Sequence, residues 1–292
     1  MPTPFRISRT RALVALLLVG TVTACSADSD TSNTSDSSAS KATETAFSHV
    51  HGLGIDPADG RLYVATHEGV LAVDKNNNAK RVSDTADYMG FTITGARTFL
   101  GSGHPAPGSN APANRGLIES TDAGKTWKTR SLGGKVDFHS LEYAHDTIYG
   151  YDSTGGLLRV SKDGTTWDER ARLAALDITV SPDDPDRVLA TTQNGIATST
   201  DGSKTFASGR EPALAFLSWP KPDALYGIAP TGEVRRSTDN GTTWKTTGTV
   251  PGSQPQALTA VGADRILAAT DKGIYESRDG GTTFTLRVPA SG

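Results

Sequence analysis

The sequence predicts an all-β protein: six units of four short antiparallel strands, closed into a six-bladed β-propeller. A recurring turn is the first observation. STDAGKTW (120–127), SKDGTTW (161–167), STDGSKTF (199–206), STDNGTTW (237–244) and SRDGGTTF (277–284) place Asp122, Asp163, Asp201, Asp239 and Asp279 at intervals of 41, 38, 38 and 40 residues. A period of about 40 with turn-rich punctuation suits four short strands and their loops. The second observation is an earlier signature in each unit: an apolar strand, a polar turn, and a glycine leading the next strand. Examples are RLYVATHEGVLAV (61–73), RVLATTQNGIATS (187–199), ALYGIAPTGEVRRS (224–237) and RILAATDKGIYES (265–277). The first opens a unit whose Asp turn has decayed to VDKNNNAKRV, which makes six units rather than five. Third, Val, Ile, Leu and Tyr alternate along these stretches between Gly, Asn and Asp turns, the pattern of antiparallel strands. An open β-solenoid is the competing arrangement, and it requires distinct capping units.

From the N-terminus, residues 1–24 read as an export signal: Arg6, Arg9 and Arg11, the apolar run ALVALLLVG, then TVTAC. The run is too short for a permanent membrane-spanning helix. VTAC resembles a bacterial lipobox, which implies lipidation of Cys25 and an anchor on the outer face of the cytoplasmic membrane. Cys25 is the only cysteine, so the exported domain uses no disulfide and its core must suffice. Residues 25–46 carry SADSDTSNTSDSSASKATET, too poor in apolar groups to fold, and read as a tether with a reach of roughly 25 Å. The propeller is expected over 47–292. At 292 residues the chain has a net charge of −3, which gives no electrostatic footprint for nucleic acid, and a monomer is expected.

The S-x-D-x-G-x-T-W/F turn resembles the BNR or Asp-box repeat, and the chain from Phe47 onward resembles a sialidase-like propeller. The role expected of the turns is structural. Aspartate accepts backbone N–H groups inside the hairpin, glycine takes a left-handed conformation, and Trp127, Trp167, Phe206, Trp244 or Phe284 packs between sheets. Ser203 stands where the glycine is usual, and SKDGTTW is one residue short, so two turns are expected to be strained or rearranged.

The start of each innermost strand and the loop joining the second and third strands share one rim of the channel, the rim where this superfamily holds its ligands. His49 and His51 begin the inner strand of blade one, and His67 lies in its second-to-third-strand loop. His104 lies in the matching loop of blade two, GSGHPAPGSNAPANRG, which is about a dozen residues longer than its neighbours and suits a partial lid. His139 follows Asp137 at the start of the inner strand of blade three, and Met89 opens that of blade two. Only His145 falls on the far side. Five of six histidines thus gather at one rim, the usual sign of a site in a concave mouth.

That rim admits three readings. HVHGLG, YMGF, GSGHP and DFH resemble a group of bacterial lipoproteins labelled sialidase-like glycosyl hydrolases, and that resemblance implies a glycan or other small-molecule ligand. Sialidases use three arginines from different blades, and here no arginine opens an inner strand; PFRIS lies in the signal, and Arg115 is the one arginine near the mouth. A neutral-sugar glycosidase needs two carboxyl groups, for which Asp137, Asp152, Asp177 and Glu68 are candidates. The second reading is a copper or zinc site built from His51, His104 and His139 with Met89 or His49, oriented by Asp137. The third is a protein-binding scaffold lined by Tyr88, Phe91, Phe138, Tyr151 and Trp219.

Overall fold

The computed structural model describes residues 49–290. The export signal, Cys25 and the tether lie outside these residues. Within them the chain forms six antiparallel sheets in sequence order and no helix. The first strands of the six blades are Val50–Ile55, Asp87–Gly95, Phe138–Ala144, Ile178–Val180, Phe216–Lys221 and Pro255–Ala260. They stand innermost, each against the next, and the sixth packs on the first to close a six-bladed propeller. Five blades have four strands. In the fourth blade the outermost strand shrinks to a bridge between Ile196 and Arg210, and Pro212 just beyond has no N–H with which to extend it.

Strand alternation explains why the ring holds together. Along Leu62–Thr66, Leu62 and Val64 face the sixth blade, whereas Tyr63 and Ala65 face the second. Repeated around the ring, this gives six separate apolar clusters, one at each junction between blades. A large side chain fully buried there contributes about 1.5–3 kcal/mol. The junction of first and last blades adds two long-range hydrogen bonds. Val50 N–H donates to Gln256 Oε1 (3.0 Å), and the Thr259 hydroxyl donates to the Leu53 carbonyl (2.8 Å).

The recurring aspartates sit between the third and fourth strands, on the face opposite the inner-strand starts. In the second blade Asp122 Oδ1 accepts the N–H groups of Lys125 and Thr126 (3.1 and 2.9 Å), and Trp127 Nε1 donates to the Gly124 carbonyl (2.9 Å). Four of these turns place two consecutive residues at positive φ, as in Gly202 (70°) and Ser203 (65°), so Ser203 holds a conformation that favours glycine. The short turn has only Gly164 there (70°), and its Trp167 donates instead to Ser131 Oγ of the preceding blade (2.8 Å). Blade one departs from its expected decay. Asp74 Oδ1 still accepts from the N–H groups of Asn76 and Asn78 (2.8 and 2.9 Å), with Asn77 taking the left-handed position (φ 65°).

Four inner strands carry the same irregularity. Ladder pairing skips one residue between Val50 and Gly52, Tyr88 and Gly90, Phe138 and Ser140, and Pro255 and Ala257. The residues bulged out of the ladder are His51, Met89, His139 and Gln256. Val50, Tyr88 and Phe138, just before three of the bulges, are fully buried between blades. A bulge bends its strand and re-aims a side chain; here a core anchor locks the preceding residue while the next is presented at the rim.

Gly90 lets the second and third blades approach at this level. A Cβ there would lie 2.3 Å from the Phe138 carbonyl oxygen. Gly90→Ala is therefore expected to force the two inner strands apart and cost about 1–3 kcal/mol, seen as a lower urea midpoint. The turns set the acid limit. Thr243 and Thr283 hydroxyls, then backbone N–H groups, hold Asp239 and Asp279 down to about 2 against an ordinary 3.8. A carboxyl lowered by folding stabilises above its unfolded value and loses that contribution as pH falls through its folded one. The melting temperature is expected to fall steeply between about pH 4 and pH 2, and Asp239→Asn to lower it at neutral pH while flattening that acid limb.

Candidate functional site

Because the inner strand's start and the second-to-third-strand loop share one rim, His51 and His67 meet although 16 residues separate them. His51 Nε2 lies 3.3 Å from His67 Nδ1. The His49 ring stands 4.8 Å from the His51 ring and 5.4 Å from that of His67, centroid to centroid. The next blade supplies a carboxylate. Asp87 Oδ2 lies 3.0 Å from His67 Nδ1 and Asp87 Oδ1 3.8 Å from His51 Nε2. One ligand atom from each of His51, His67 and Asp87 lies within 4.8 Å of the others.

A second cluster forms on blades two and three. Asp137 Oδ2 is 2.7 Å from His139 Nε2 and 3.4 Å from His104 Nε2. His104 Nδ1 donates to the Ala113 carbonyl at 2.9 Å, so the long loop orients this imidazole. The loop is itself tied down, since Gly134 N–H donates to the Asn114 carbonyl (2.7 Å). The clusters adjoin through Asp87 and His104, which oppose each other in the first two strands of blade two.

Electrostatics favour unprotonated imidazole at the centre. Burial first, then the neighbouring rings of His67, His49, His139 and His104, pushes His51 down to about 3. His49 is lowered by burial and by His67, with Asp87 opposing. Neutral imidazole is the form that offers a lone pair. Asp87 Oδ1 and Asp137 Oδ1 are both buried without a hydrogen-bond partner.

The other residues expected at the rim have different surroundings. Met89 is half-buried at the bulge of blade two, one strand position from Tyr88. Arg115 stacks over the Tyr88 ring (4.9 Å), with Asp84 4.0 Å away. Asp152 is buried against Arg159 (3.3 Å), and Asp177 bridges blades by accepting from the Ser140 hydroxyl (2.7 Å) and Leu217 N–H (2.8 Å). Burial raises Asp177 to about 6, and farther along the channel it raises Glu142 to about 8, with Asp177 adding to the effect. Glu142 lines the channel, half-buried and ringed by inner strands. Glu68 adjoins His67, its N–H held by Thr66 Oγ1 (3.1 Å). His145 lies in the far turn, bonded to the Ser181 carbonyl (2.8 Å). Tyr88, Phe91, Phe138, Tyr151 and Trp219 are all buried, the first four in cores between blades and Trp219 beside Leu217 in another. They form no exposed binding surface. Asp87 was missed in the sequence because it flanks Met89; the signal was its match to Asp137, each two residues before a bulged residue.

No protein-family model matches the sequence, and no curated protein matches it. Solved structures do match in fold. A GH74 xyloglucanase from Xanthomonas campestris superposes with a TM-score of 0.56 at 16% identity, covering 82% of this chain and 38% of its own, so this chain spans well under half of that enzyme. A gluconolactonase, also from Xanthomonas campestris, gives 0.62 at 15% identity, covering 77% of this chain and 84% of its own. A catalytically inactive virginiamycin B lyase from Staphylococcus aureus, solved with quinupristin, gives 0.56 at 14%, covering 82% and 84%. At these identities the similarity is one of fold: the chain is a β-propeller with glycosidase and other propeller neighbours.

Proposed function

We propose that the protein is an exported propeller, anchored through a lipid on Cys25 to the outer face of the cytoplasmic membrane, that binds its ligand at the histidine-lined mouth of blades one to three, and that the mouth holds a transition-metal ion. The observation carrying the metal is the convergence of His51, His67 and Asp87 from separate segments of two blades. Hydrogen bonding alone serves these atoms poorly. His67 Nδ1 faces both Asp87 Oδ2 and His51 Nε2, and one hydrogen on that nitrogen satisfies only one of them. A cation in the middle satisfies all three. Two imidazoles and a carboxylate, with no thiolate, suit zinc and accept copper.

The glycosidase neighbours support a glycan as the ligand at the level of fold alone. The residues add little to it, because Asp152 and Asp177 are engaged by Arg159, Ser140 and Leu217. The BNR-like turns and the lipobox support membership of an exported lipoprotein group, not a particular reaction.

Purified protein, stripped with a chelator and titrated with Zn²⁺ or Cu²⁺, is expected to retain metal after desalting. His67→Ala is expected to weaken binding by roughly 10-fold to 100-fold or more. Negligible metal in both proteins, with hydrolysis of aryl glycosides by the stripped protein, would replace the metal reading with the sugar-hydrolase one. The anchor is checked separately: Cys25→Ser is expected to move the protein from the membrane fraction to the soluble one.

A further inference from the structure

The joint between the first and last blades carries more positive charge than its own pairing uses. Glu276 lies on the third strand of blade six (Gly273–Ser277), its side chain 4% exposed, and three guanidinium groups converge on it. Arg265 Nε lies 2.7 Å from Oε1, Arg278 Nη2 lies 2.8 Å from the same oxygen, and Arg287 Nη1 bonds Oε2. Burial works against ionisation of this carboxyl, but the hydrogen bonds from Arg265 and Arg287 hold it below its ordinary range.

Blade two shows how much of this the fold itself requires. Its matching pair, Glu119 and Arg130, stands one to one at 2.7 Å, and Arg130 donates onward to the Asp163 carbonyl in the turn of the next blade (2.7 Å). Arg287 repeats that service in blade six, donating from Nε to Asn77 Oδ1 in the turn of blade one (2.6 Å). One arginine therefore fastens a blade to its neighbour, and Arg265 and Arg278 are surplus to the task. A guanidinium also carries more N–H donors than one carboxylate oxygen can take.

The spare donors face an open groove rather than a core. Arg278 is 72% exposed, and the three arginines, with Lys75 and Thr285, line a space of about 700 Å³ between blades six and one, on the face opposite the histidines. Four cations stand there against the carboxylates of Glu276 and Asp279. Asp279 is already engaged by the N–H and hydroxyl of Thr283 in its own turn (2.9 and 2.6 Å). This local excess of positive charge sits on a chain whose net charge is −3.

We infer that the groove is an anion site that takes a phosphate group, free or carried on a larger molecule. Forked guanidinium groups match the oxygens of a phosphate two at a time, and the Lys75 ammonium adds a compact charge beside them. The open side of the groove leaves room for whatever the phosphate is attached to. The site is separate from the histidine mouth and does not depend on a metal there.

The test is calorimetric titration of the whole protein with inorganic phosphate, pyrophosphate and a polyphosphate chain, beside vesicles of phosphatidylglycerol. Binding that weakens as salt rises is expected. Arg278→Gln is expected to weaken it about 10-fold and to leave the melting temperature unchanged, because Arg265 and Arg287 still hold Glu276; Lys75→Gln is expected to act in the same direction. Tighter binding of the chain than of single phosphate identifies a polymer as the source, and tighter binding of vesicles a lipid headgroup; either keeps the site if Arg278→Gln weakens it. No binding of any probe, or affinities unchanged in both variants, would overturn the inference. Binding that survives Arg278→Gln and is lost in His67→Ala would overturn it too, by placing the anion at the histidine mouth.

Discussion

The face of each blade packing on the next, six times around a channel, is the interaction on which the rest of this structure depends. No single sheet buries both its faces alone, so every blade borrows half its core from each neighbour. The ring must also shut. No strand is shared between the first and last blades; closure is made by side chains of Val50, Leu53, Leu267 and Ile274, with the bonds from Val50 to Gln256 and from Thr259 to Leu53. Those bonds span 206 residues, and the entropy of closing so long a loop grows only logarithmically with length. A junction of ordinary size can therefore hold the ring closed.

Ring closure also builds the mouth. Each inner strand starts at the rim, and its first buried residue is clamped between blades, so a bulge just beyond the clamp throws one side chain toward its counterparts. His51, Met89 and His139 are that residue in three successive blades. The core and the candidate site are thus two consequences of one local geometry: Val50, Tyr88 and Phe138 hold the blades, and the side chain one position beyond each of them reaches the mouth. The backbone room comes from Gly90, where a methyl group would strike the Phe138 carbonyl.

Much of this was legible in the sequence. Six units, the alternation of their strands and the opposite placement of turns and histidines all come from repeats, because repeated local chemistry forces repeated geometry. The illegible part depends on pairing between segments. Asp87 is an unremarkable aspartate until the register sets it opposite His104 and beside His67. The five rim histidines read as one group, yet four of them divide between two carboxylates: Asp87 faces His51 and His67 of the preceding blade, and Asp137 faces His104 of the preceding blade and His139 of its own strand. Arg115 read as a rim cation; stacking on Tyr88 is a contact that loop length alone does not reveal. The turn of blade one read as decayed because its glycine and aromatic are gone, but a left-handed asparagine and the aspartate suffice for the turn itself.

The same bulge explains why the chemistry occupies half the ring. Blade six has it at Gln256, but there the amide oxygen accepts Val50 N–H and is used in closing the propeller. In blade four the inner strand is three residues long, and Asp177 before it is consumed in joining Ser140 to Leu217. Blade five shifts register only farther along, between Ser218 and Lys221. Blades one to three hold imidazoles or a thioether at the bulge because their neighbours supply the structural bonds: Ser102 Oγ, not a bulged side chain, accepts Phe138 N–H at 2.9 Å. Exchanging that duty for a serine on the adjacent strand relieves the bulged side chain of that bond, and His51, Met89 and His139 occupy the bulge in three successive blades.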